Sequence, residues 1–232
     1  MQQLTLNIFN AGGLRFEEFF VSAANTDLLS ILQGFATGTD SDTSQLFISA
    51  PVGGGKTHLL QACCYAASEQ GQRVSYLPLR TLSAYGSDIL QGLDGTELIA
   101  VDDLDAVLGD AAWEEALFDL INRTRIANNR LLFSARENPR LLSVKLPDLA
   151  SRLIWGGYYA VAALSDEDRL DALRYLAQAR GIQLDERVLE YLDKHFPRDI
   201  ARLVEILDTL DRESLRRQSR ITVPFVRNIL AV

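Results

Sequence analysis

The segment from Gln45 to Gln70 constrains this chain more than any other. It holds a short apolar run (Gln45 to Ala50), then Pro51-Val52-Gly53-Gly54-Gly55, then Lys56-Thr57 opening a helical pattern that Gly71 stops. Strand, glycine turn and helix in that order make a phosphate loop. Glycines are required because backbone N–H groups can converge on an anion only where no Cβ intervenes. The helix N-terminus adds about half a positive charge at the same place. Lys56 would reach the β- and γ-phosphates, and the Thr57 hydroxyl would hold Mg²⁺. Ala50 stands where the usual pattern has its first glycine. The expected ligand is a nucleoside di- or triphosphate.

A second segment completes that chemistry. Leu98-Ile99-Ala100-Val101 reads as a strand buried on both faces, and Asp102-Asp103 follow at its C-terminal end. Ligands of open parallel sheets bind at that end. Asp102 is placed for the Mg²⁺ shell, and Asp103 for polarising the attacking water. Asp105 reads as a turn or solvent residue.

Around these motifs, strands and helices alternate. Strands are expected at Gln45–Ala50, Arg73–Leu77, Thr96–Val101, Arg130–Ser134 and Tyr158–Leu164. An early helix is expected with Asn25 or Thr26 as its cap, and another over residues 111–128. Trp113, Leu117 and Phe118 share helical spacing and read as core. Alternation of this kind implies a parallel five-stranded sheet between helical layers, an α/β domain over residues 14–164. From Ser165 the pattern is all helical. Ser165 with Asp168 starts one helix, Asp185 caps another, Pro197 suits the first turn of a third, and Thr222 opens the last. Residues 165–232 therefore read as a small helical domain, and residues 1–13 as a tail.

Composition bounds the function. Apolar residues make up 47% and charged residues 23% of the 232, values of a globular chain rather than a disordered one. The net charge is −8. That argues against a broad phosphate-binding surface, so autonomous sequence-specific DNA binding is not expected. No run of about 18 apolar residues occurs and the N-terminus lacks a secretory pattern, which predicts a cytoplasmic protein without a membrane partner. The adjacent Cys63 and Cys64 make neither a bridge nor a zinc site and read as buried thiols.

The phosphate loop, the Asp pair and the helical C-terminal part resemble the AAA+ ATPases. More narrowly the chain is similar to the DnaA family, and within it to the Hda branch. The resemblance runs over the whole chain. It rests on Gly55-Lys56-Thr57-His58-Leu59, Val101-Asp102-Asp103-Leu104, Pro147-Asp148-Leu149-Ala150-Ser151-Arg152-Leu153, Trp155-Gly156 and Pro197-Arg198-Asp199. It implies an AAA+ domain with a helical lid, and ADP or ATP held by Pro51, Val52, Gly53, Gly54, Gly55, Lys56, Thr57, His58 and Arg198. Arg152 falls where the family places an arginine finger, which acts on the nucleotide of a neighbouring subunit. A finger of this kind raises phosphoryl transfer by about 10³–10⁵. Ser134-Ala135-Arg136 puts Arg136 where the family usually has Asp, with Ser134 as a substitute, which implies inefficient hydrolysis in cis.

The tail carries Gln3-Leu4-Thr5-Leu6-Asn7-Ile8, which resembles the clamp-binding peptide of the Hda branch. Leu4, Leu6 and Ile8 would enter an apolar groove while the Gln3 amide bonds at its edge. The implied function is negative regulation of replication initiation. The protein would dock on the DNA polymerase sliding clamp and present Arg152 to ATP held by DnaA. An ATP-consuming helicase loader or other replication remodeller is the alternative, and it would need Asp103 for hydrolysis in cis. Family sites lie between subunits, so a homo-oligomer is also implied.

Overall fold

A computed structural model describes residues 14–39, 43–93, 95–196 and 200–230, without the side chains of residues 200 and 201. Five parallel strands form one sheet in the order β2-β3-β4-β1-β5. They are β1 (Gln45–Ser49), β2 (Val74–Pro78), β3 (Leu98–Asp102), β4 (Arg130–Ala135) and β5 (Gly157–Ala160). In register, Phe47 lies beside Phe133 of β4 and Tyr158 of β5. The helices are α1 (Thr26–Thr37), α2 (Lys56–Glu69), α3 (Leu79–Leu82), α4 (Ala111–Ile126), α5 (Pro147–Leu153), α6 (Asp166–Ala179), α7 (Glu186–His195), α8 (Ile200–Arg217) and α9 (Val223–Leu230).

The strand period of two sorts the core. Leu46, Ile48, Leu98, Ala100 and Leu132 face α1 and α2, in one cluster with Leu32, Phe35, Leu59, Cys63 and Cys64. Phe47, Ile99, Val101, Leu131 and Phe133 point the other way, in a second cluster with Trp113, Leu117, Leu149 and Leu153. Phe118 packs against that second cluster only partly buried. Both faces of β1 and β3 are thus covered, which is why these strands read as unbroken apolar runs. Residues 166–230 carry a third cluster of their own, built on Leu173, Leu176, Val188, Leu192, Leu207, Leu210 and Val226. Among the described residues no helix is long and apolar enough to cross a membrane.

Local chemistry sets the element ends. The Asp110 carboxylate caps α4 by accepting from the N–H groups of Ala112 and Trp113. Ser165 and Asp168 form the reciprocal capping box at α6. Gly181, just beyond α6, takes φ +70°, the left-handed value that glycine adopts without strain.

Three expectations need correction. The fifth strand stops at Ala160 rather than Leu164. The Val161 N–H still reaches the Ser49 carbonyl, but the Ala162 N–H is taken by the Asn25 side chain at 2.8 Å. Asn25 therefore does not cap α1 through its side chain; its amide ties the helix entrance to the end of β5. The third strand starts at Leu98 rather than Thr96, because the Thr96 N–H closes a turn onto the Leu93 carbonyl. The predicted start of a helix at Pro197 lies outside the described residues.

Candidate nucleotide-binding site

β1 delivers the chain to the loop, and α2 takes it away. Gly53 and Gly55 adopt φ +76° and +85°. A Cβ on Gly54 would come within 2.7 Å of the Ala50 Cβ, so side chains are excluded from the bend. Lys56 is 6% exposed and donates to the carbonyls of Ala50 at 2.8 Å and Pro51 at 3.0 Å. Burial lowers its pKa, against the opposing pull of the Asp103, Asp102 and Asp105 carboxylates. A buried Nζ held on two backbone carbonyls is a donor that an anionic ligand can engage. The first-turn N–H groups of α2 lack intrahelical acceptors and point the same way.

Asp102 is the hub of the second motif. Its Oδ2 accepts from the Thr57 hydroxyl and from the Tyr76 phenol, both at 2.7 Å. Its Oδ1 accepts from the Ser134 hydroxyl and from the Asp103 N–H. Ser134 in turn accepts from the Asp103 N–H at 3.0 Å. Burial first, and the Asp102 charge second, push the Tyr76 phenol up, so Tyr76 stays a donor at neutral pH. The carboxylate is thereby locked toward Thr57 before any ion arrives. No cluster of three or more His, Cys, Asp or Glu able to hold a metal occurs among the described residues. That donor set suits Mg²⁺, which prefers one or two carboxylates completed by phosphate oxygens and water.

Asp103 behaves differently. It sits at φ +54°, and its carboxylate pairs with the Arg80 Nε at 2.8 Å. Asp105, read from sequence as a turn or solvent residue, is in a turn but is not left to solvent. It pairs with the Arg136 Nε at 2.9 Å and accepts the Arg136 N–H. These partners lie 23 and 31 residues away along the chain, so no local spacing announces them.

A strap closes the near side. A Cβ on Gly55 would meet the Phe19 ring at 2.7 Å. Phe19 also lies edge-on to His58, and the His58 Nε2 donates to the Arg15 carbonyl at 2.8 Å. The His58 ring is thus turned to the strap, and burial lowers its pKa; what it can offer an anion is its backbone N–H. The Tyr175 hydroxyl of α6 donates to the Glu17 carbonyl, and Phe20 packs edge-on to Tyr175. The strap therefore touches both the loop and the helical part.

The structure brings Gly53, Gly54, Gly55, Lys56, Thr57, His58 and Asp102 together, with Pro51 and Val52 exposed on the rim. Asp103 stands beside them, turned to Arg80. Arg152 is elsewhere. The Gln45 side chain, at the start of β1, donates to the Arg152 carbonyl at 2.9 Å. At about 3.3 Å per residue, a five-residue strand separates that end of the sheet from the loop by about 13–16 Å. The Arg152 guanidinium lies 4.2 Å from the Trp155 ring centroid and 5.9 Å from that of Phe118. Arg198, and the tail residues Gln3, Leu4, Leu6 and Ile8, lie outside the described residues. Sequence reasoning missed Tyr76 and Arg80; the available signal was their position within and just after β2, the strand beside the one that ends in Asp102.

Comparison with known proteins agrees with this geometry. A family profile described as the bacterial DnaA ATPase domain matches residues 12–160, and one described as the lid domain of Hda matches residues 166–230. Domain III of the Thermotoga maritima replication initiation protein DnaA superposes with a TM-score of 0.79 at 21% identity, covering 94% of this chain and 95% of that one. AMPPCP-bound DnaA from Aquifex aeolicus gives 0.73 at 20% identity, over 88% of this chain and 68% of that one. The Thermotoga maritima RuvB Holliday junction branch migration motor gives 0.66 at 17% identity, over 94% and 71%. At these identities the structural likeness concerns the AAA+ fold.

Proposed function

This chain belongs to the family of bacterial DnaA ATPase domains, with a lid of the Hda kind, and from that membership we propose that it is a nucleotide-holding negative regulator of replication initiation. ADP or ATP is held by residues 51–58, with Lys56 on the phosphates and Thr57 and Asp102 on Mg²⁺. A bound Mg²⁺ would offset phosphate charge. Arg198 contributes from the lid. The tail, through Gln3, Leu4, Leu6 and Ile8, docks on the DNA polymerase sliding clamp. Arg152 reaches ATP held by DnaA and promotes its hydrolysis there.

The observation that carries this reading is the placement of Arg152. It sits at the end of the sheet opposite its own phosphate loop, and no carboxylate pairs with it among the described residues. A guanidinium is planar, permanently charged and bidentate, which suits a transferring phosphoryl group. From there it cannot serve Lys56's ligand, so its reach favours a nucleotide on another polypeptide. The ion pair of Asp103 with Arg80 supports the same division of labour, since a water-polarising carboxylate is already engaged. An ATP-consuming loader would need that carboxylate released.

The deciding experiment measures hydrolysis of DnaA-bound ATP with this protein and the clamp loaded on DNA. Arg152→Ala is expected to lose the stimulation by about 10³-fold or to background, while its own nucleotide binding stays intact. Stimulation equal to the parent protein would defeat the assignment. Removal of residues 1–9 is expected to abolish capture of the clamp.

A further inference from the structure

Arg152 is not alone at its end of the sheet. Trp155 is 56% exposed, yet its ring carries two guanidiniums. The Arg125 carbon Cζ lies 3.9 Å from the ring centroid and that of Arg152 lies 4.2 Å away. Neither arginine has an ion pair among the described residues, although many other arginines of the chain do. Two like charges gathered on one indole, with no ion-paired acid among the described residues, form a locally cationic point on a chain of net charge −8.

The frame under this cluster is stiff. The Trp155 N–H donates to the Arg152 carbonyl, and the Gln45 amide donates to the same oxygen. A Cβ on Gly156 would lie 2.1 Å from the Gln45 carbonyl oxygen, so the Trp155-Gly156 corner rests directly on β1. Beside the ring is a concavity of about 220 Å³ lined by Ser44, Gln45, Thr124, Arg125, Trp155 and Gly156 among others. That is below the volume of an ordinary small-molecule site. It admits the end of a ligand, not a whole nucleotide.

We propose that Trp155 is the positioning residue for Arg152, and that Arg125 is the second cation of a two-guanidinium fork addressed to the polyphosphate of a nucleotide held by the neighbouring polypeptide. The proposal rests on the trans reading of Arg152 given above. Stacking orders both long side chains before the neighbour arrives, so less rotamer freedom is lost on contact. The ring face attracts each guanidinium and offsets their mutual repulsion. The fork then exchanges the ring for phosphate oxygens, or keeps one guanidinium on the ring while the other reaches out.

The test compares the parent protein with Arg152→Ala, Arg125→Ala, Trp155→Leu and Trp155→Phe in the DnaA–ATP assay with loaded clamp. Two quantities are read: the rate at saturating protein and the concentration for half-maximal stimulation. Trp155→Leu is expected to lower the saturating rate about tenfold, with the half-maximal concentration within about threefold, and Trp155→Phe to restore most of it because a ring face remains. Arg125→Ala is expected to cost about tenfold, the scale of one charge-assisted contact. Full stimulation by Arg152→Ala would refute the trans reading itself. If Arg152→Ala fails while Trp155→Leu and Arg125→Ala stay within twofold of the parent, the fork is refuted and the trans reading stands. A loss confined to the half-maximal concentration would also refute the fork, in favour of plain docking. Thermal midpoints are recorded for each variant; Arg125 is exposed, so its variant decides the matter even where Trp155→Leu does not fold.

Discussion

Lys56 and Asp102 were legible because their chemistry is local. The glycine spacing before Lys56 and the apolar run before Asp102 each fit within eight residues. What fixes the Asp102 carboxylate was not legible, since Tyr76 and Ser134 come from other strands. The same holds for Arg80 on Asp103. Only the folded sheet sets these residues side by side. At this scale Lys56→Ala is expected to weaken ADP binding at least tenfold by titration calorimetry, the loss of one charged donor worth about 1.5–3 kcal/mol. Cys63 and Cys64 give a second expectation. Burial raises both thiols, Cys64 to about 12, so almost no thiolate exists at pH 8. Reaction with a thiol reagent should be negligible in the native protein and become complete in denaturant; fast native labelling would contradict the burial.

Elements were easier to place than their ends. Apolar runs marked β1, β3 and β4, because a strand covered on both faces needs apolar residues throughout; the edge strands β2 and β5 are only partly buried. The end of β5 was misplaced since it depends on Asn25, more than a hundred residues away. Glu114 was not foreseen at all, an acid at 1% exposure on the inner face of α4. It accepts from the N–H groups of Gly109, Lys145 and Leu146, and so ties α4 to the approach to α5 and Arg152. Burial works to raise its pKa, but the three N–H donors and Lys145 outweigh it, and the carboxyl titrates below the usual range. An unfolded Glu takes up its proton near pH 4.3. Between that value and the lower folded one, the unfolded chain binds more protons, so stability falls as pH falls. The contribution of Glu114 is therefore complete at pH 7 and is lost on acidification through the folded pKa. Glu114→Gln should lower stability at pH 7 by about 1–3 kcal/mol and flatten its decline below pH 4.3. Urea unfolding across pH 3–7 measures both. Asp110→Ala should cost about 1 kcal/mol through the lost α4 cap, read as a lower urea midpoint with an unchanged slope.

The whole molecule joins the loop, the strap and the helical part around one prospective ligand. Phe19 of the strap packs against Gly55 of the loop, and Tyr175 of α6 bonds to the Glu17 carbonyl of the strap, so the loop and the helical part are tied through it. Ligand at about 100 times its Kd adds about 2.7 kcal/mol of stability. For a chain of this size that corresponds to a rise in Tm of about 5–10 °C, measurable by calorimetry with ADP and Mg²⁺. A Gly54→Ala chain, whose bend cannot close around phosphate, should show little rise.

β1 has a property that follows from its position alone. One of its ends opens into the glycine bend before Lys56, and the other carries Gln45, which pins the backbone of Arg152. Five residues thus act as a ruler. Whatever stands against the far end is held at a set pitch from whatever Lys56 grips, and adding or deleting a single residue within that run would put both out of gauge together.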